Sequence, residues 1–361
     1  MITQITLKNY RNITDFDSTL KKINLIVAPN GAGKTNLLES IFFLFNGTSF
    51  KSMRSMLDAV GPNEDFSTVK IILQKNICEM VIIKSPNLKK QYKKNNKKTN
   101  LKQIYKILKP VIFSPNSVDL VDGAPEVRRK DLDLFIASFD YQYSDALTRY
   151  EKVLKNKNAI LKNIRDGNST IEQLEFWNNE LCKTAEILVS KRISIIEKIN
   201  NQLLNSSKYF SPDSKISIDY QHFRPIDLNS YAQNLLQLFL KNTQKEIIVG
   251  KTLYGPHKDT IDIYKNDKAL RFFGSRGEQR IGAFCLKLAQ LELLQNENLN
   301  VVFLLDDIFS ELDESHRKIV SEIILSRSER IQTFITTSTI DEIPEKLLKT
   351  SYLISIKDSN S

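Results

Sequence analysis

Ile23-Asn24-Leu25-Ile26-Val27 and the loop after it, Ala28-Pro29-Asn30-Gly31-Ala32-Gly33-Lys34-Thr35, decide the fold. The first stretch reads as a short buried strand. Beyond the loop, Leu37, Leu38, Ile41, Phe42 and Phe45 recur at helical spacing up to a stop at Gly47. A strand, a glycine-containing turn and a helix in that order are the setting a phosphate-binding loop requires. Gly31 and Gly33 let successive backbone N–H groups converge on one anion, and the helix opening near Lys34 turns its positive end toward the same point. Lys34 is then placed to neutralise the outer phosphates and Thr35 to ligate Mg²⁺. Ala28 stands where the usual pattern has glycine, and its methyl group is tolerated if the local φ is negative.

Such a loop predicts a later apolar strand ending in an acid that supports the metal. Val301-Val302-Phe303-Leu304-Leu305-Asp306-Asp307 supplies it. Asp306 is expected to hold Mg²⁺ through water, and Asp307 to polarise the attacking water as general base. Two acids ending a strand also suit the N-cap of a following helix. Ser310-Glu311-Leu312-Asp313 comes next. Upstream, Phe273-Gly274-Ser275-Arg276-Gly277-Glu278-Gln279-Arg280 opens a long helix whose apolar positions include Phe284, Leu286, Leu288, Leu291 and Leu294. Ser275 and Gly277 there make either a second anion site or an ordinary N-cap. A single nucleotide does not need two such sites from one chain. Two chains set head to tail would each donate one, with the nucleotide sandwiched between them.

The 361 residues are 41% hydrophobic and 26% charged, and Lys plus Arg outnumber Asp plus Glu by 52 to 42, a net charge of +10. That balance favours a polyanionic partner, nucleic acid before a membrane surface. No apolar run approaches the roughly 18 residues a spanning helix needs. Met1-Ile2-Thr3-Gln4-Ile5 lacks the basic-then-apolar pattern of a signal peptide, so a cytoplasmic protein is expected. Cys78, Cys182 and Cys285 are far apart and odd in number; with His222, His257 and His316 they offer neither a disulfide framework nor zinc-ligand spacing.

Strand patterns occur at Ile2, Ile5 and Leu7, at Thr68–Leu73 with Cys78–Lys84 as a hairpin, at Pro110–Phe113, and again at Ile216–Tyr220 and Thr260–Tyr264. Helical periodicity holds the middle. Tyr143, Leu147, Tyr150, Leu154 and Leu161 are in near-helical register, and Leu174, Leu181, Leu188 and Ile195 recur every seven residues. Arg165-Asp166-Gly167-Asn168-Ser169 reads as the turn between them, giving a helical hairpin that is either a short arm or an ordinary packed pair. The expected architecture is an α/β nucleotide-binding lobe built from residues 1–125 and 210–361, with a mainly helical lobe, 126–209, inserted.

These residues resemble an ABC/SMC-type ATPase head and, more narrowly, the RecF family of bacterial repair proteins. Leu7-Lys8-Asn9-Tyr10-Arg11-Asn12 is similar to that family's opening strand and arginine. Phe113-Ser114-Pro115, Pro125, Arg128-Arg129 and Leu132-Asp133 resemble its lobe junction, and Gly255-Pro256-His257-Lys258-Asp259 its GPH(R/K)D segment. Ser275–Arg280, Leu305–Asp313 and Ile335-Thr336-Thr337-Ser338 resemble the signature, the Walker B strand with D-loop, and the final switch strand. The resemblance implies ATP and Mg²⁺ as ligands, an ATP-bound homodimer, and non-sequence-specific DNA binding at single-strand gaps or junctions. It also implies weak ATP hydrolysis for release, and action with RecO and RecR in loading RecA and supporting SOS induction. In that frame Arg11 contacts nucleotide phosphate or DNA. Ser275, Gly277 and Gln279 bind nucleotide, Asp313 acts across the dimer, and Thr337 is the candidate sensor.

The densest basic segment runs from Lys89 to Lys102 and includes Lys93, Lys94, Lys97 and Lys98, with Arg128 and Arg129 as further DNA-contact candidates. It reads equally as a phosphate-contacting surface and as a solvated hairpin. Two rival functions stay open: another ABC/SMC-class head, and a nucleotide-switched scaffold that recruits partners without useful hydrolysis.

Overall fold

Runs of aliphatic and β-branched residues build most of the strands, and the most continuous of these runs form one parallel sheet. A computed structural model describes residues 1–51, 55–84, 87–222 and 228–356. In chain order the strands begin with β1 (Ile2–Tyr10), β2 (Ile13–Thr19), β3 (Ile23–Val27), β4 (Phe66–Leu73), β5 (Asn76–Ile83), β6 (Lys89–Lys94) and β7 (Lys97–Thr99). They continue with β8 (Lys109–Phe113), β9 (Ile216–Gln221), β10 (Thr260–Lys265), β11 (Lys268–Ala269), β12 (Val301–Asp306), β13 (Gln332–Thr337) and β14 (Tyr352–Ile354). The helices are α1 (Lys34–Asn46), α2 (Leu101–Tyr105), α3 (Asp119–Asp122), α4 (Pro125–Ala137), α5 (Tyr141–Arg165) and α6 (Leu174–Ser206). They are followed by α7 (Tyr231–Lys241), α8 (Thr243–Val249), α9 (Leu270–Phe273), α10 (Arg276–Asn296), α11 (Glu314–Arg327) and α12 (Glu345–Thr350).

The chain divides into two units: Met1–Ser117 with Ser206–Asp213 and Ala283–Ser361, and Val118–Asn205 with Ser214–Gly282. In the first, the parallel sheet has the order β14-β3-β13-β12-β8. β8, β12 and β13 are buried at every position and β3 at all but its last, as strands covered on both faces must be. A second, antiparallel sheet runs β2-β1-β4-β5-β6-β7. There burial alternates, as in β4, whose every second residue is buried. One apolar cluster joins Leu37, Leu38, Ile41 and Phe45 of α1 to Ile5 and Val69 of the antiparallel sheet and to Ile26, Leu304 and Phe334 of the parallel one. The register places the C-terminal ends of β3, β12 and β13 side by side, with Asp306 opposite Thr336 and Thr337 opposite Val27. That edge is where open α/β sheets bind ligands.

The second unit contains the helical hairpin and the small sheet β11-β10-β9. The seven-residue stripe Leu174, Leu181, Leu188 and Ile195 is buried along α6. Leu161 of α5, Leu174 of α6 and Ile247 of α8 form one cluster, and Lys157 of α5 pairs with Glu246 of α8 at 2.9 Å. The hairpin is therefore packed by a third helix, closer to an ordinary bundle than to a bare arm. Residues 214–282, expected in the nucleotide-binding lobe, fall in this unit instead. The reason is pairing: β9 and β10 bond to each other, not to the parallel sheet. Asp262 of β10 also pairs with Arg128 of α4 at 3.2 Å, and Asp259 accepts from Arg129 through its carbonyl at 2.6 Å. Two strand patterns separated by a helical insert looked like parts of one sheet; their partners are each other.

Candidate nucleotide site

The first unit assembles its site from three strand ends. The loop Ala28–Gly33 leaves β3 and enters α1 through Gly33, whose φ of +99° excludes a side chain. A Cβ there would also stand 3.0 Å from Asn12 Oδ1 and 3.1 Å from Ile13. Gly31, at φ +86°, has nothing near its would-be Cβ, so the loop's crest is open. Ala28 is not among the residues with positive φ and is accommodated as expected. Lys34 is buried and folds its ammonium onto the loop's own rim, donating to the carbonyls of Ala28 and Pro29. Burial draws its pKa down, while Asp307 and Asp306 pull the other way.

Thr35 donates its hydroxyl to Asp306 Oδ1 at 2.9 Å, and Thr336 donates to the same oxygen at 2.7 Å. Asp306 is buried, and that burial raises its pKa against the lowering effect of the two hydroxyls. Asp307 has φ +52°, uncommon for a side-chain-bearing residue, and its amide is held by Thr336 through the carbonyl at 3.2 Å and the hydroxyl at 3.1 Å. Its carboxylate accepts from Ser310 Oγ at 2.8 Å. Thr337 is fully buried and spends its hydroxyl on Thr339 O and Glu342, both at 3.0 Å.

The donor set fits a nucleotide with its metal. Open backbone N–H groups, a buried lysine and a helix N-terminus suit phosphate. A hydroxyl and a carboxylate in contact suit Mg²⁺, which binds with few protein ligands beside phosphate and water. Among the described residues no group of three His, Cys, Asp or Glu side chains is placed to hold a metal alone.

Other expected site residues lie elsewhere. The Arg11 guanidinium pairs with Glu39, donating through Nε and, at 2.6 Å, through Nη2. The expected contact of Arg11 with phosphate or DNA would have to be made beside that pairing, by the 19% of the side chain left exposed. Ser275, Gly277 and Gln279 belong to the second unit. Ser275 forms a capping box: its Oγ accepts from the Glu278 amide at 3.3 Å and its amide donates to the Glu278 carboxylate at 2.9 Å. A Cβ at Gly277 would meet nothing within 4 Å. Gln279 is buried with Nε2 on the Leu270 carbonyl at 3.2 Å, so it fastens α10 to α9 and is not presented to a ligand. Asp313 is exposed and caps α11, accepting from the His316 amide at 2.9 Å and from His316 Nδ1 at 2.7 Å.

Of the basic candidates, Arg128 is 3% exposed and paired with Asp262, which removes it from any DNA surface. Arg129 is half-buried on the Asp259 carbonyl. The lysine-rich stretch is the β6–β7 hairpin, turning on Asn95 and Asn96, both with left-handed φ. Lys97 and Lys98 are exposed, Lys94 is half-buried, and Lys93 pairs with Glu79 at 3.2 Å. Asn12, Asn36, Glu39, Ser49 and Lys51 also line or brace the loop and were not anticipated as site residues. The visible signal was Glu39, an acid inside the apolar helix Leu37–Phe45.

A parallel sheet with a phosphate loop, a carboxylate strand and an antiparallel second sheet defines an ATPase head of the ABC/SMC type. Comparison with known proteins narrows this. The family described as RecF/RecN/SMC N terminal domain matches residues 1–357. The "DNA replication and repair protein RecF" of Bacillus thuringiensis (strain Al Hakam) is 31% identical over 98% of this chain and 96% of its own. The same figures hold for that of Bacillus cereus (strain B4264). A solved structure of the recombination mediator protein RecF-ATPrS in the RecFOR pathway superposes with TM-score 0.88 at 28% identity, covering 99% of this chain and 96% of that one. An Smc head bound to the C-winged helix domain of ScpA shares the fold, with TM-score 0.56 at 16% identity over 99% of this chain and 94% of its own. The chain belongs to the RecF family.

Proposed function

We propose that this chain is an ATP-dependent DNA-binding protein of recombinational repair and replication restart. The observation that carries the reading is the contact of Thr35 with Asp306 at 2.9 Å beneath an open phosphate loop, in a chain similar along its whole length to RecF. ATP is held by Ala28–Thr35, with Lys34 on the outer phosphates and Thr35 with Asp306 at Mg²⁺. Mg²⁺, held by Thr35 and Asp306, would supply charge neutralisation to the phosphates. Asp307, kept in place by Ser310 and Thr336, accepts the proton of the attacking water, and weak hydrolysis serves as a reset.

In this reading two ATP-bound copies join head to tail, each offering Ser275, Gly277 and Asp313 to the other's nucleotide. The dimer binds DNA at single-strand gaps and junctions through phosphate contacts, Lys97 and Lys98 among them. RecO- and RecR-type partners then act with it to load RecA and support SOS induction. Among the described residues no helix is long and apolar enough to cross a membrane.

The test is ATP-dependent retention on gapped against intact duplex at two salt concentrations, with sedimentation of wild type, Lys34→Ala and Ser275→Arg. The reading expects wild type to dimerise with ATP and both variants to stay monomeric. Equal dimerisation of all three refutes the shared site. Dimerisation and DNA retention without any turnover would favour the scaffold reading over the ATPase.

A further inference from the structure

Lys51 is a half-buried cation braced beside the phosphate loop. Its backbone amide donates to Ser49 Oγ at 2.9 Å, and Ser49 in turn donates to the buried carboxylate of Glu39. Phe50 stands edge-on to Phe42 of α1, with ring centroids 5.5 Å apart. The segment is thus fixed on both sides of Lys51's neighbour. Its ammonium donates to Asn36 Oδ1 at 2.6 Å, and Asn36 directly follows Thr35. Asn36 Nδ2 donates to Asn12 Oδ1 at 2.6 Å, and Asn12 Nδ2 to the Gly31 carbonyl at 2.7 Å. A continuous polar relay therefore runs from Lys51 to the crest of the loop.

Among the described residues Lys51 has no salt bridge, although Glu39 and Asp306 lie near enough to act on it electrostatically. Burial is the largest influence on it and disfavours its charge. A cation drawn out of water, with the neutral Asn36 as its acceptor among the described residues, is incompletely compensated, and an arriving anion corrects that. The position selects which anion. Asp306, which accepts from Thr35, lies within electrostatic reach of Lys51, and Asn36, which holds the ammonium, directly follows Thr35, so the ammonium is near the pair at which metal and outer phosphates would meet.

We propose that Lys51 is a second phosphate-binding lysine, which leaves Asn36 for the terminal phosphate of a bound nucleoside triphosphate and so helps the site distinguish triphosphate from diphosphate. The proposal rests on the nucleotide reading above. Lys34 then holds the loop side of the phosphate chain and Lys51 its outer end, with Asn36 as the resting partner that keeps the ammonium in place beforehand.

The experiment is equilibrium titration of the full chain with ATP and with ADP, each with Mg²⁺, for wild type, Lys51→Met, Lys51→Arg and Lys34→Ala, beside thermal melting of each protein without nucleotide. Loss of one charge-assisted contact should weaken ATP binding by Lys51→Met about tenfold or more, and ADP binding by less than about threefold. Lys51→Arg should recover most of the loss, and nucleotide-free melting of Lys51→Met should match or exceed wild type. ATP and ADP affinities within twofold of wild type overturn the proposal, as does an equal loss of both with a lowered melting point. Failure of wild type itself to bind ATP removes the nucleotide reading and the proposal together. Wild type binding tightly, Lys34→Ala failing and Lys51→Met unchanged removes the proposal alone.

Discussion

Glu39→Ala separates a structural Arg11 from a ligand-contacting one. Glu39 is fully buried, and Arg11 keeps 19% of its side chain in water. Removing one partner of a buried pair costs about 3–5 kcal/mol, because the other charge is left uncompensated. Partial exposure of the guanidinium places the expected loss near the lower end, about 3 kcal/mol. Arg11→Ala should cost a similar amount, since the carboxylate is the more deeply buried partner. The double variant Arg11→Ala with Glu39→Ala should fall well short of the sum, with a coupling of about 2 kcal/mol. Urea unfolding followed by circular dichroism is the assay, supported by calorimetry. The chain's one tryptophan, Trp177, lies in α6 of the other unit and would report on the wrong part of the molecule. Arg11→Ala losing less than 1 kcal/mol while DNA or ATP retention collapses would refute the clamp and restore Arg11 as a contact residue.

Three shorter tests address other buried and exposed charges. Burial holds His257 at about 4, below its ordinary 6.5, between the Tyr150 hydroxyl and the Thr252 carbonyl. The unfolded chain therefore binds the extra proton first: the contribution is intact above about pH 6.5 and lost as pH falls toward 4, about 2 kcal/mol between pH 7 and pH 5. His257→Asn should flatten that part of the stability profile relative to wild type, and an unchanged difference between pH 7 and pH 5 counts against it. Glu246→Gln should cost about 3 kcal/mol by stranding Lys157, whose ammonium also lies 3.3 Å from the Phe239 ring centre, whereas Lys157→Met with Glu246→Leu should come out near wild type. Lys97→Ala with Lys98→Ala should lower the slope of log affinity for DNA against log salt by about two, with sequence preference unaltered; an unchanged slope would show the hairpin to be merely solvated.

The nucleotide site was legible because its chemistry is local. Residues 28–35 carry the turn, the candidate phosphate donors and a candidate metal ligand in one short stretch, and the apolar run before Asp306 announces a buried strand end. The heptad stripe of α6 was readable for the same reason, from periodicity, whereas the lysine-rich stretch was legible only as one of two alternatives, a solvated hairpin or a phosphate-contacting surface. What the chain does at long range was not readable. Arg11 and Glu39 are 28 positions apart, and neither residue advertises a partner. Arg128 looks like a surface cation until Asp262, on a strand more than a hundred residues later, is folded against it. The same distance effect misplaced residues 214–282: alternating hydrophobicity identifies a strand but not the strand it bonds to. The motif resemblance marked Ser275–Arg280 correctly as a helix start. It did not show that Gln279 turns inward or that Glu278 occupies the cap.

That occupied cap has a functional consequence. Glu278 is ionised across all physiological pH, held at about 2 by its hydrogen bond from Lys265 at 2.7 Å and by the Ser275 amide. A fixed carboxylate at a helix N-terminus already neutralises the partial positive charge that an incoming phosphate would use. If Ser275 and Gly277 receive a partner's γ-phosphate, that phosphate must compete with Glu278, and the competition weakens the ATP-bound dimer. Glu278→Ala removes the competitor while sacrificing a capping interaction of about 1 kcal/mol in helix stability. The two effects run in opposite directions and are read by different instruments. Thermal melting of the nucleotide-free protein should fall slightly, while sedimentation with ATP should show dimers forming at lower protein concentration. Ser275→Ala in the same background should abolish the gain. A Glu278→Ala protein that melts lower and dimerises no more readily than wild type would mean that this helix start is only a cap, and that the nucleotide meets the second copy by other residues.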